Sequence, residues 1–275
     1  MSNKTNKQKN RVGLIAVMVA VMLLAAMTVC GCTMPFASTV SQSDAAVSDT
    51  DVSDADAEPV VDEREVLISC ISEDEMYSVG DIVTYGAYEQ DGDTANGEEP
   101  IEWRILAIED DRVLVISEYG LDAKPFNEKQ EDTTWADCTL RKWLNKDFLN
   151  SAFSKEEREN ILTVMLENPA NERYGIGEEP DTEDTIFVLS LDEKEKYFPY
   201  FKDAGCYPTQ QALNNGVKLS KKAEATGMCE RYWLRTIGRE PICAAIVMHE
   251  GFSTADGCYC DGDYIAVRPA MYLGL

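Results

Sequence analysis

Apolar residues fall into two spacings along this chain. Ile82-Val83-Thr84-Tyr85, 101–108 and 112–117 read as strands, the last two flanking Glu109-Asp110-Asp111 as a hairpin. Trp103, Ile105 and Ala107 share one face of that strand, and Arg104, Leu106 and Ile108 the other. The spacing then changes. Leu140, Trp143, Leu144 and Phe148 recur every three or four residues, which predicts a helix with Thr139 as its N-cap and Trp143 in the core. Ser154-Lys155-Glu156-Glu157 and Ser190-Leu191-Asp192-Glu193 have the form of capping boxes that open two short helices, and Thr209 caps another. Residues 161–166 and 186–189 read as further strands. The carboxyl-terminal stretch, 232–275, alternates apolar runs with glycine and acidic residues, as successive strands of an antiparallel sheet do. No repeat and no regular strand–helix alternation occurs. The expected class is therefore α+β: one compact domain, residues 76–275, with a mixed or antiparallel twisted sheet and a few short helices.

The amino terminus follows another rule. Lys4, Lys7, Lys9 and Arg11 precede an almost wholly apolar run from Val12 to Val29, the form of an export signal. The run ends in Val29-Cys30-Gly31-Cys32. This resembles a bacterial lipobox, which implies removal of residues 1–31 and lipidation of Cys32. An uncleaved membrane anchor is the alternative, since the run is about long enough to span a bilayer. Both place the rest outside the cell, on the face of the bacterial membrane. Residues 32–75 are rich in Ser, Asp, Ala and Val and poor in large apolar groups, which predicts a disordered acidic linker.

Charge narrows the partners. The chain carries 25 basic and 50 acidic residues, net −25, and its leader holds four of the basic ones. Such a surface repels phosphates, so nucleic acid is excluded as a partner. Contact with the membrane is expected through the lipid anchor.

Candidate chemistry is sparse. The single histidine, His249, reads as a turn residue after a strand. Of nine cysteines, Cys30 and Cys32 belong to the leader. The remaining Cys70, Cys138, Cys206, Cys229, Cys243, Cys258 and Cys260 are odd in number and cannot all pair within one molecule. Several read as small buried apolar residues. Cys258 and Cys260 fall on one side of an extended segment and could hold a metal or cycle redox state. Asp256, Asp261 and Asp263 offer oxygens that suit calcium, although their spacing is not that of an EF-hand; no other cofactor is indicated. Arg235 and Arg268 lie among apolar residues and need partners, either buried ion pairs or a ligand carboxylate. Among the tryptophans, Trp135 stands in a loop-like stretch and is the one expected to be exposed, with Tyr232 and Trp233 as further ligand candidates.

The runs 80–90, Pro100-Ile101-Glu102-Trp103, Thr134-Trp135, 139–145, Tyr232-Trp233-Leu234-Arg235 and Val267-Arg268-Pro269-Ala270 resemble, in that order, a bacterial domain of unknown function frequent in surface lipoproteins of gut clostridia. The last two runs are also similar to the ends of C-type-lectin-like domains, including formylglycine-generating enzymes. That likeness implies a twisted sheet with two helices and a ligand-binding loop region. This chain has Thr236-Ile237-Gly238 where the family has Ser-Pro-Gly. The expected function is a noncatalytic module that binds a carbohydrate, peptide or cell-wall component. An oxidase of the formylglycine-generating type using Cys258 and Cys260, or a structural envelope protein, are the alternatives.

Overall fold

The computed structural model describes residues 77–176, 179–219 and 221–275. The leader, the lipidation site Cys32 and the acidic stretch up to residue 75, with Cys70, lie outside the described residues. Among the described residues no helix is long and apolar enough to cross a membrane.

Two sheets carry the fold, which is α+β. The first has the order β1 (Ile82–Tyr88), β2 (Glu99–Ile108), β3 (Arg112–Ser117), β13 (Ala270–Gly274), β5 (Ile161–Leu162), and β8 (Ile186–Phe187) also pairs with β13. The second has the order β11 (Ser253–Tyr259), β10 (Cys243–Met248), β9 (Arg231–Ile237), β12 (Ala266–Val267), β4 (Asp122–Ala123). A separate pair joins β6 (Val164–Leu166) to β7 (Thr182–Asp184). Pairing is antiparallel throughout except where β12 runs parallel to β9. The expected β2–β3 hairpin forms, with a bulge between Ile105 and Ala107. The extra residue breaks the alternation. Trp103, Ile105 and Leu106 are therefore all buried while Ala107 is only half-buried. Trp103 fills the core and its indole N–H donates to Tyr85 O at 2.8 Å, so its burial leaves no polar atom unpaired.

The helical segment begins one residue earlier than expected. Cys138, not Thr139, is the N-cap of α1 (Thr139–Trp143), its sulfur accepting Arg141 N–H at 3.3 Å. The Thr139 hydroxyl is engaged elsewhere, accepting Glu128 N–H at 3.0 Å. A wide π turn, Leu144–Phe148, follows and leads into α2 (Leu149–Ala152). Leu140, Leu144 and Phe148 are the buried stripe, every fourth residue. A normal α-helix drifts past such a spacing, and the wider turn returns it to register. Trp143 then lies at the edge of the stripe, half-buried, which corrects its expected place in the core.

Both capping boxes form. Ser154 and Glu157 bond reciprocally at the start of α3 (Lys155–Asn160), and Ser190 and Glu193 at the start of α4 (Leu191–Tyr197). Thr209 caps α5 (Gln210–Asn214). The strand expected over 161–166 is broken at Thr163, so β5 joins the first sheet and β6 pairs with β7. β11 was not signalled, because Ser253-Thr254-Ala255-Asp256-Gly257 lacks β-branched and aromatic density.

The carboxyl-terminal stretch does close the structure. β12 belongs to the second sheet and β13 to the first, with only Arg268 and Pro269 between them. Arg268 is fully buried at this corner. Its Nε donates to Ser117 O at 2.8 Å and its Nη1 to Ala204 O at 3.0 Å. Its guanidinium stands 5.5 Å from each of the Phe198 and Tyr232 ring centroids. The ion pair expected for Arg268 is absent among the described residues, and carbonyls and ring faces take its place.

The turn between β10 and β11 is the tightest constraint on this end of the fold. Gly251 has φ +84°, and a Cβ there would fall 1.7 Å from Phe201 O. Both strain and collision act on any substituent. Gly251→Ala should lower stability by about 2–3 kcal/mol, read as a shift of the urea midpoint at unchanged slope.

Candidate functional site

The five residues expected to meet a ligand are all interior. Trp135 is 0 % exposed, so its expected exposure is corrected. Its indole N–H donates to Asp184 Oδ2 at 2.9 Å and its backbone N–H to Glu179 Oε2 at 2.6 Å. Asp184 is itself buried and is shared with Arg141 Nε at 2.6 Å, Thr182 Oγ1 at 2.7 Å and Asn145 Nδ2 at 3.1 Å. Phe126 lies between Trp135 and Trp233, at 6.0 and 5.7 Å between centroids. Trp233 is likewise fully buried and donates to Lys124 O at 2.8 Å. The Tyr232 hydroxyl donates to Ala204 O at 2.7 Å, the carbonyl that Arg268 also uses.

Arg235 forms the expected buried ion pair. Both its terminal nitrogens meet Glu193, Nη2 to Oε1 at 2.8 Å, while Nε donates to Asn168 Oδ1 at 3.1 Å and Nη1 to Val188 O at 3.2 Å. Glu193 thus closes a capping box and neutralises Arg235 at once. The cavity beside it, lined by Asn168, Glu179, Ser190 and Arg235, measures about 10 Å³, room for a water molecule at most.

The cysteine and acidic candidates also separate. Cys258 is half-exposed on β11, near Arg231 and Glu230. Cys260 is buried beyond the strand end, its sulfur against Lys129 O at 3.3 Å. The two thiols therefore have different surroundings. Asp256 accepts from the Tyr174 hydroxyl and is 3.8 Å from Arg173; Asp261 and Asp263 are exposed. Among the described residues the acidic oxygens that come together are those of Glu89, Asp91 and Glu99. They already accept the loop N–H groups of Gln90, Gly92 and Asp93, at 2.6–2.7 Å.

Open space lies instead on a face that no motif marked. A cavity of about 710 Å³, mainly apolar, is lined by Phe201, Lys202, Lys222, Ala225, Thr226, Met228, His249, Glu250 and Phe252. Three elements supply it: a 3₁₀ turn (Phe201–Ala204), α6 (Lys221–Thr226) and the β10–β11 turn. The rings of Phe201 and Phe252 stack at 3.8 Å, and Phe252 is 47 % exposed. His249 is in the turn, as expected. Neither of its ring nitrogens has a hydrogen-bond partner among the described residues, although both are shielded from solvent. Glu250 Oε1 is 3.6 Å from His249 Nε2 and 3.4 Å from Lys222 Nζ. An apolar floor with a few polar groups at its edge is how ligand sites are built.

A smaller cleft, about 290 Å³, exposes part of Trp143 beside Lys124, Lys142 and Lys146. Lys124 Nζ stands 5.1 Å over the indole.

The sequence profile of one family matches residues 110–275. The chain belongs to the family described as domain of unknown function DUF6273. The match takes in both clefts and every strand from β3 onward; β1 and β2, which the resemblance also covered, precede it. No curated protein and no solved structure matches the chain.

Glu179 makes the Trp135 end of this DUF6273 domain pH-sensitive. Burial pushes its carboxyl up to about 7, against the pull of the Trp135 and Ala136 N–H groups. The folded state therefore binds this proton more tightly than the unfolded chain does. The Glu179 contribution to stability is present below pH 4.5 and is lost as pH rises to about 7. Glu179→Gln keeps an acceptor for Trp135 N–H and should remove that slope, leaving the variant the more stable above pH 7 in urea titrations run from pH 4 to 8.

Proposed function

We propose that this chain is a lipid-anchored protein of the outer face of a bacterial membrane, its acidic spacer carrying a noncatalytic binding domain. The ligand is an extracellular or cell-wall peptide. One large apolar side chain enters the Phe201–Met228–Phe252 cavity, and a carboxylate near it meets Lys202 or Lys222. The stacked Phe201–Phe252 pair carries this reading, because an aromatic floor left in solvent costs burial that a ligand restores, about 25 cal/mol for each Å² covered. His249 supports it, since a ligand hydroxyl or amide would satisfy its ring. The leader sequence and the lipobox at Cys32 support the location. The finer likeness to C-type-lectin-like domains rests on the Trp-Leu-Arg and Val-Arg-Pro-Ala runs alone.

Trp143 favours a second reading. A half-exposed indole in a cleft lined by three lysines together with Glu128 and Asp147 suits a sugar, stacked on the ring face. The two readings separate in one experiment. The full chain in detergent micelles is titrated with an apolar-residue peptide library and with peptidoglycan-derived glycans. Peptide capture should weaken about tenfold or more in Phe252→Ala and stay unchanged in Trp143→Ala. Glycan binding lost in Trp143→Ala, with no peptide captured, would replace the first reading by the second.

A further inference from the structure

Two thiols that no functional motif singled out meet under the cavity. Cys206 follows the 3₁₀ turn and Cys229 follows α6. The Cys229 N–H donates to Cys206 O at 2.8 Å, and the two sulfurs are 3.6 Å apart. Both residues are buried. Gly120 makes the space, for a Cβ there would be 3.0 Å from Cys229 Sγ and 3.9 Å from Cys206 Sγ. Arg268 is the nearby cation. It has carbonyl and ring contacts but no ion pair with a carboxylate among the described residues. A buried guanidinium without an anion is costly, and a thiolate is the anion at hand.

The geometry points to Cys206 and Cys229 as a redox-active dithiol, balanced by Arg268, that low-molecular-weight disulfides convert to an internal disulfide. The contact with Cys229 and the charge of Arg268 hold the Cys206 thiol below its usual range, while the same contact and burial hold Cys229 well above it. Cys206 is thus the attacking sulfur and Cys229 the resolving one. The Cys206 thiolate attacks one sulfur of the small disulfide, whose S–S bond breaks and releases one thiolate. Cys229 gives its proton to solvent and attacks Cys206 Sγ, and the second small thiolate leaves. The protein loses two electrons and two protons, and the small disulfide becomes two thiols. Ala225, Thr226 and Gly227, just ahead of Cys229, are exposed. The bond would tie the segment after Phe201–Ala204 to the segment after α6, two of the three walls of the cavity.

The full chain, reduced and native, is incubated with oxidised glutathione, quenched in acid, alkylated and digested. The inference expects one peptide pair linked through Cys206 and Cys229, about 2 Da lighter than the two thiols together. Cys229→Ser should accumulate glutathione on Cys206, and Cys206→Ser should leave Cys229 unmodified over the same interval. The inference fails if both cysteines of the unsubstituted chain remain fully alkylatable, a result that needs no variant to fold. It fails also if Cys229→Ser, shown folded by its tryptophan emission, carries no adduct on Cys206.

Discussion

One buried guanidinium joins the two halves of this fold. The chain passes from the second sheet to the first within two residues, Arg268 and Pro269. Arg268 does the joining through Ser117 O at the end of β3 and Ala204 O at the end of the 3₁₀ turn. Tyr232 of β9 adds its hydroxyl to the same Ala204 carbonyl and its ring to the guanidinium. Three segments distant in sequence are thereby fixed by one side chain. Desolvating such a charge costs several kcal/mol, so its donors must be used and its field must be answered. Carbonyl dipoles and two ring faces answer it.

The same corner places the cavity. Ala204 ends the 3₁₀ turn that carries Phe201, and Gly251 lets the β10–β11 turn come against Phe201 O. Phe252 can then stack on Phe201, and His249 is drawn in beside them. The cleft is assembled from two turns and a short helix held by backbone contacts. For that reason its lining residues carry no spacing pattern.

Local signals were legible wherever the deciding contact is local. Both capping boxes, the Thr209 cap and the β2–β3 hairpin depend on residues within a few positions of each other, and all form. The errors arise where a distant partner decides. Trp135 reads as an exposed loop residue until Asp184, far along the chain, takes its indole N–H. Trp143 reads as core until the π turn rotates the buried stripe past it. Cys138 displaces Thr139 as a cap because Glu128 N–H takes the Thr139 hydroxyl. Arg235 and Arg268 look alike in sequence, yet one finds Glu193 and the other only carbonyls and rings. The ligand candidates named from sequence proved to be the frame beneath the surface. Phe201, Met228 and Phe252 left no sign beyond their separate hydrophobicity.

Replacing Arg268 by Met tests the central claim most directly, because the side chain keeps its length and loses its donors and charge. Urea unfolding would be followed by far-ultraviolet dichroism and by tryptophan emission. The account predicts that Arg268→Met loses about 1–3 kcal/mol of stability, because Ser117 O loses its guanidinium donor and Ala204 O keeps only the Tyr232 hydroxyl. An unfolding midpoint equal to that of the unsubstituted chain would contradict it.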